Sequence, residues 1–579
     1  MFIHRLPQIG GDGSTVTTEN GTTFTYKNSF GGFWVNDPAD PFNNNAQPNS
    51  WTPPLNKTWT WGVDRVYGVN LGGLFVMEPF ITPSFYEKYS PAAIDEWTLS
   101  VAMANDTSSG GLGQLETHYD TFITEEDIAE IAGAGLNWLR IPIPFWAIET
   151  WPGEPFLAKT SWKYFLRVLG WARKYGLRVY LDLHTVPGSQ NGLNHSGRLS
   201  PVNFMNGNMG LANAERTLYY IRVLTEFISQ PAYRDLIPIF GIVNEPLLGI
   251  IGRDQLTSFY LEAHNMIRDI TGFGEGNGPY IAIHDGFQAL DSWADFLQGS
   301  DRIILDTHPY FSFGGIDTAP IAVTDDKGNP GGKWPTQACN AWGPSTNASQ
   351  TAFGVTISGE WAASPNDCGQ FLRGVGAEST NPQCPEYDDY PNYNDTMKAG
   401  ILNYVLGSMD ATGDWFFWTW KIAPNQAGVI GAPSWSYQLG LRQGWIPADP
   451  RTAVGKCQAL GVAATPFDGT YSAWATGGAT STIVASSTTS FPWPPTTLSN
   501  AVVPISLLPT YTSTGPIITM PPATFTAAPS SVTAPVNGWL DPQDTAGGVV
   551  TVAGCTYPDE YNGIFTVTPT SPCAGLATA

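Results

Sequence analysis

Two glutamates close apolar runs: Glu245 in IFGIVNEP (residues 239–246) and Glu360 in FGVTISGEW (residues 353–361). A carboxylate at the tip of a buried run is costly unless a partner or a substrate uses it. Two carboxylates facing each other across a cleft can break a glycosidic bond. One protonates the leaving oxygen and the other attacks the anomeric carbon. That chemistry needs two pKa values pushed apart. Partly apolar surroundings should raise the carboxyl that acts as acid, and a nearby cation, Arg140, should lower the one that acts as nucleophile. Direct attack requires carboxyl groups roughly 5–5.5 Å apart, whereas attack through a water leaves roughly 6.5–9.5 Å. The shorter spacing is expected here. Asn244 could bind a sugar hydroxyl beside the reacting carbon, and His184, His308 and Tyr310 add neutral hydrogen-bonding groups. The bland alternative for each of these is a satisfied polar residue at the end of a strand. Two glutamates with an arginine and two histidines at such ends favour chemistry.

The elements that would have to position these groups form a countable series. Apolar runs end in polar residues in YGVN, WLRIP, LRVYLDLH, IFGIVNE, YIAIHD, RIILDTH, FGVTISGE and WFFWTW, giving eight candidate strands. Amphipathic helices lie between several of them. TEEDIAEIAGAG opens with Thr124 three residues before Asp127, close to a capping box. WKYFLRVLGWARKYG stops at Gly176, as a helix that ends in a left-handed glycine does. Eight alternations over residues 61–460 predict an α/β fold, a (β/α)8 TIM barrel. A doubly wound sheet is the runner-up, but the chain lacks a glycine-rich phosphate loop. In the barrel, the strand ends carrying Asn70, Arg140, His184, Asn244, Glu245, His308, Glu360 and Trp420 would share one rim.

Around the barrel, composition divides the chain of 579 residues. Residues 1–60, rich in Gly, Asn, Thr and Pro, read as an N-terminal extension. Residues 461–535 are Ser/Thr/Pro-rich and read as an extended linker. Residues 536–579 form a small C-terminal segment that one disulfide could close. The net charge is −23, with 27 basic and 50 acidic residues. This balance argues against nucleic acid and anionic membranes as partners, both of which call for basic surface. A neutral substrate fits better, and 22 Trp, 23 Tyr and 29 Phe suit the faces of a sugar, although most must be core.

Six dispersed cysteines without zinc-like spacing suit disulfides in an oxidising compartment. Six sequons, at Asn20, Asn56, Asn105, Asn194, Asn347 and Asn394, point to N-glycans and the same secretory route. The N-terminal MFIHRLPQIGG lacks the apolar core of a signal peptide, and neither a spanning run nor a hydrophobic C-terminal tail is present. An extracellular or cell-surface protein whose leader or anchor is missing from this chain is the expectation.

Taken together, IVNEP, ISGEW, LRIPI, DLHTVPGSQNG, DTHPYF and WTWK resemble glycoside hydrolase family 5. GVNLGG, EPFITPS, DEWTL and SYQLGLRQGWIP bring the chain closer to the fungal exo-β-1,3-glucanases of that family. The resemblance covers residues 61–460. It implies a retaining β-glycosidase without a metal or other cofactor, a monomer acting on β-glucan or another β-glucoside. It assigns Glu245 as acid/base and Glu360 as nucleophile. Arg140, His184, Asn244, His308, Tyr310 and Trp420 become substrate-binding residues, with Trp418 as the rival to Trp420. It also implies disulfides Cys339–Cys457 and Cys368–Cys384, leaving Cys555 with Cys573. FGGFWVNDPADPFNN resembles the stretch before the barrel in membrane-anchored relatives. There are departures: Leu74 and Phe75 follow NLGG, where family members often have Trp. Leu193 stands where an aromatic often helps clamp an outer glucose, and Phe313 could supply the other half of that clamp. Leu193 keeps open a β-1,6-glucanase, or a β-glycosidase or diglycosidase acting on a small glycoside. A non-catalytic carbohydrate-binding barrel and a structural wall protein are the readings from other classes. The first would be expected to have lost one of the two glutamates.

Overall fold

The computed structural model describes residues 7–463, 465–478, 489–523, 538–563 and 573. Its centre is a closed barrel of eight parallel strands whose neighbours in space are neighbours in sequence. The strands are β1 (Tyr67–Asn70), β2 (Trp138–Pro144), β3 (Arg178–Thr185), β4 (Ile239–Gly241), β5 (Tyr280–His284), β6 (Ile303–Thr307), β7 (Thr356–Ser358) and β8 (Trp415–Phe417). The helices used below are α1 (Glu96–Asn105), α2 (Glu125–Gly133), α3 (Thr160–Tyr175), α4 (Gly210–Ile228) and α5 (Trp334–Ala352). The capping box at the start of α2 forms, with the Thr124 side chain accepting from the Asp127 amide and Asp127 accepting from Thr124. α3 ends at Gly176 in the left-handed region, φ 74°.

A strand's side chains alternate between faces, so every second residue looks into the barrel. On the inner face this period sorts the chain into layers. Trp138, Tyr180, Ile239, Ala282, Ile304, Ile357 and Phe416 form an apolar floor, sealed from below by Trp59 and Trp61 of the N-terminal extension. Two residues further along, Asn70, Arg140, Asp182 and Asp306 form a polar layer. His284 is level with Asp306, and two residues beyond the polar layer His184 and His308 reach the rim. The floor excludes water from beneath and the polar layer must then satisfy itself.

The N-terminal extension makes two small antiparallel pairs, residues 8–10 with 34–36 and 15–17 with 23–25. Disulfides join Cys339 of α5 to Cys457, Cys368 to Cys384, and Cys555 to Cys573. The linker reading of residues 461–535 needs correction where the chain is described. Residues 511–515 pair with residues 548–551, and this ribbon lies against α4. Trp162 of α3 donates to the Pro521 carbonyl at 2.8 Å, and Glu226 of α4 accepts from the amides of Leu540 and Asp541 at 2.7 and 2.9 Å. Buried Arg216 bridges Glu154 and Glu560 at 2.7 and 2.9 Å. The reason is that α4 carries acidic and aromatic groups on its outer face that would otherwise be unpaired. Among the described residues, no helix is long and apolar enough to cross a membrane.

Candidate active site

Arg140 is the hub of the polar layer and is 1% exposed. Its Nη1 donates to Glu360 Oε1 at 2.7 Å and to Asn70 Oδ1 at 3.0 Å. Its Nη2 donates to Asn244 Oδ1 at 2.7 Å and lies 3.0 Å from Asp182 Oδ2. One guanidinium thus ties β1, β2, β3 and the segments after β4 and β7. Asp182 in turn holds His184 Nδ1 at 2.7 Å. Gly359, just before the second glutamate, has no room for a side chain, since a Cβ there would meet the Asp306 carboxylate at 2.3 Å. Its amide donates to Asp306 Oδ1 at 2.6 Å, and Tyr180 donates to the other oxygen at 2.6 Å.

The two glutamates meet around His308. The Nδ1 of His308 lies 2.6 Å from Glu245 Oε1 and 3.5 Å from Glu360 Oε2. These two oxygens can be no farther apart than the sum of those contacts, 6.1 Å. Each glutamate thus presents one oxygen to the same imidazole nitrogen. Tyr310 donates its hydroxyl to Glu360 Oε2 at 2.9 Å. Asn244 gives its oxygen to Arg140 and keeps a buried amide nitrogen without a protein partner, aligned for a ligand hydroxyl. The regular part of β4 ends at Gly241, but the Asn244 amide still donates to the Leu183 carbonyl of β3 at 3.2 Å, so the residue before the acid stays tied to the neighbouring strand. Glu245 instead sits in the left-handed region at φ 48°. Such a conformation in a non-glycine residue costs on the order of 1–3 kcal/mol and persists where neighbours fix it.

The charge distribution corrects one expectation. Glu245 was to be raised and Glu360 lowered; in the structure the directions are reversed. Burial pushes Glu245 up, but the hydrogen bond to His308 and its charge pull it well below the carboxylate range. Burial raises Glu360; His308 and Arg140 oppose this, and the Glu245 charge adds to the rise. Burial disfavours protonated His308, but Glu360, Asp306 and Glu245 overcome it and hold the imidazolium well above its usual value. The imidazolium beside Glu245, which sequence spacing does not reveal, is the physical reason. Glu245, Glu360 and His308 titrate as one coupled set, with His308 drawn toward its protonated form and Glu245 toward its ionised form.

A second correction concerns the tryptophans. Trp420 is fully buried, donates through Nε1 to Asp127 Oδ1 of α2 at 3.1 Å and packs on Tyr437. It supports the barrel wall. Trp418 stacks on His184 with the rings 5.6 Å apart and 6° from parallel, and it takes the place at the rim. Phe313, 57% exposed, lies 5.6 Å from the Tyr310 ring at the outer edge, and Leu193 is exposed as well. Three residues at the site were not singled out from sequence. Glu78 of EPFITPS is buried, and burial, with the charges of Glu360 and Glu245, holds it well above the carboxylate range. His284 lies against His308, ring centroids 4.4 Å apart, and burial lowers it to about 3. His195 Nε2 lies 3.3 Å from Glu245 Oε2. The period of β5 could have marked His284; nothing in the loop sequence marks His195. Glu245, His284 and His308 bring their ligand atoms within 4.8 Å, but a cation there would displace the 2.6 Å contact between His308 and the acid.

Comparison with known proteins agrees with this geometry. Residues 103–348 match the family model Cellulase (glycosyl hydrolase family 5). The "Probable glucan 1,3-beta-glucosidase D" of Aspergillus clavatus is 36% identical over 472 residues, covering 76% of this chain and 54% of the relative. The "Glucan 1,3-beta-glucosidase D" of Emericella nidulans is 34% identical over 470 residues, covering 76% and 53%. The chain thus spans about half the length of these curated relatives. Two solved structures, AoRut and the rutinosidase from Aspergillus niger, superpose with a TM-score of 0.51 at 18% and 19% identity. Each match covers 67% of this chain and 99% of the other, and shows the shared barrel fold. Within the barrel, residues 103–348 are thus similar to glycosyl hydrolase family 5.

Proposed function

We propose that this chain is a retaining β-glycoside hydrolase, an exo-acting glucan 1,3-β-glucosidase that releases glucose from β-1,3-glucan. The observation that carries the reaction is the pair Glu245 and Glu360 around one histidine at the barrel rim. The similarity to fungal glucan 1,3-beta-glucosidases carries the substrate. Glu360, gripped by Arg140 and Tyr310, attacks the anomeric carbon and forms a glycosyl-enzyme. Glu245 passes a proton to the leaving oxygen, then takes one from the water that releases the sugar. The proton comes from His308 across the 2.6 Å contact. Arg140 and the Tyr310 hydroxyl hold Glu360 in its ionised form for the attack. No step requires a metal. Asn244, His184, Trp418 and Glu78 are placed to bind the sugar whose bond is broken, and Phe313 to bind the next one. The acidic surface, the disulfides and the sequons support action outside the cell, at the fungal wall.

Leu193, exposed at the mouth, favours a second reading, in which the leaving group is a β-1,6-linked sugar or a small glycoside. Hydrolysis of laminarin and a β-1,6-glucan side by side tests the choice. Glucose as the sole early product from laminarin is expected. Oligosaccharides as the early products, or a preference for the β-1,6-glucan, would overturn the assignment.

A further inference from the structure

We propose that His195 is a positioning residue that decides which oxygen of Glu245 carries the acid proton. This rests on Glu245 being the acid/base. His195 lies in the short turn Asn194–Ser196 of the loop after β3. Its Nε2 is 3.3 Å from Glu245 Oε2, while Oε1 is taken by His308. Each carboxyl oxygen therefore faces an imidazole of its own.

The two imidazoles are not equivalent. The Nδ1 of His195 is buried and has no hydrogen-bond partner among the described residues. A proton on that nitrogen would be a buried donor with nothing to receive it, which is costly. The proton of neutral His195 belongs on Nε2, which lies 3.3 Å from the carboxylate oxygen. The surrounding charges agree. Burial lowers His195 to about 4, with Glu245 and Asp182 working upward and His184 and His308 working downward.

A neutral N–H fixed on Oε2 has a consequence for catalysis. If Oε2 were the protonated oxygen, its hydrogen and that of His195 would point at each other. The acid proton must then sit on Oε1, the oxygen next to His308. The transfer is balanced: the Nδ1–H bond of His308 breaks, an O–H bond forms at Oε1, and the glycosidic oxygen takes that proton as the C–O bond breaks. The imidazole keeps the electron pair and recovers a proton when water is activated in the second step.

The loop is built to hold this placement. Ser189 and Ser196 share a hydrogen bond of 2.6 Å, the Gly197 carbonyl accepts from the Trp97 amide at 2.9 Å, and Asp95 Oδ2 accepts from the Leu199 amide at 2.7 Å. Gly197 has φ +90°, and a Cβ there would meet the Trp146 ring at 2.8 Å. Arg198 lies 4.0 Å from the Trp97 ring and 4.9 Å from the Tyr561 ring, which anchors the loop to the C-terminal segment.

The test compares His195→Leu and His195→Gln with wild type on phenyl β-glucoside, a poor leaving group, and 2,4-dinitrophenyl β-glucoside, which needs no acid. For His195→Leu, kcat/KM on the phenyl glucoside should fall about tenfold or more, the worth of a hydrogen bond to a charged group. On the dinitrophenyl glucoside it should change by less than about twofold, because a good leaving group does not use the acid. The alkaline limb of kcat/KM should move to higher pH, since loss of a donor to the ionised carboxylate raises its pKa. His195→Gln restores a neutral donor and should recover most of the phenyl glucoside rate. Equal losses on both substrates with an unmoved limb would reduce His195 to structural support and overturn the proposal. Unchanged kinetics in His195→Leu, or no recovery in His195→Gln, would overturn it too. Glu245→Gln is assayed alongside: full activity there on the phenyl glucoside would remove the acid/base assignment, whereas failure confined to the His195 variants removes only this inference.

Discussion

At the scale of the residue, the account turns on unequal surroundings for two like side chains. Glu360→Gln and Glu245→Gln should each lose on the order of 10²–10⁴-fold in kcat on a glucan, with the melting temperature little changed. The two should part on an activated aryl glucoside. There Glu245→Gln should form the glycosyl-enzyme quickly and stall at its hydrolysis, and azide should relieve the stall and yield a β-glycosyl azide. A burst followed by slow turnover, read in stopped flow, checks this; equal slow rates in both variants would contradict the separate roles. The tryptophans make a second prediction. Trp420→Phe removes the contact to Asp127 and should lower the melting temperature while leaving KM unchanged. Trp418→Ala should raise KM, because it takes away the ring stacked on His184.

At the scale of the element, the barrel depends on an inner face with period two that changes from apolar to ionic to a rim histidine along β3 and β6. Gly359→Ala tests how tightly the ionic layer is packed against β7. The new methyl would strike the Asp306 carboxylate, and overpacking of this kind costs about 1–3 kcal/mol. A lower denaturation midpoint together with a lower kcat is expected, since Asp306 also touches His308. Much of this element-level plan was legible in the sequence. The runs ending in Arg140, His184 and His308 show the alternation plainly, as do the helix signals at Thr124 and Gly176. What stayed hidden depends on three-dimensional packing. The regular part of β4 ends at Gly241 because the chain must swing Glu245 into the left-handed region, and no local signal in NEP announces that. Trp418 and Trp420 share the same parity in WFFWTW, and only Asp127, far away in sequence, decides which one leaves the rim. His195 and the imidazolium beside Glu245 come from loop closure, and the inverted pKa order follows from them.

At the scale of the whole molecule, the C-terminal segment behaves as part of the barrel. Arg216→Met should leave Glu154 and Glu560 facing one another in a buried site, and breaking such a pair costs about 3–5 kcal/mol. A drop in the melting temperature with one remaining cooperative transition is expected; a second, separate transition for the C-terminal segment would contradict the packing described. Stability should also depend on pH in a defined direction. Burial raises Glu96 and Glu215 to about 8 and Asp285 to about 7. These groups keep protons in the folded chain that the unfolded chain has already released above about pH 4.5. Their contribution is fully present below that pH and is lost as pH rises through 7 and 8. The melting temperature should therefore be higher at pH 5 than at pH 8. A flat profile across that range would contradict the burial of these carboxyls.

The direct test of the central claim is the anomer first released from a β-glucoside, followed by proton NMR before mutarotation. Double displacement through Glu360, with Glu245 as acid and then base, predicts β-glucose as the first product. Initial α-glucose would mean that water attacks directly, and it would contradict the assignment of Glu360 as nucleophile.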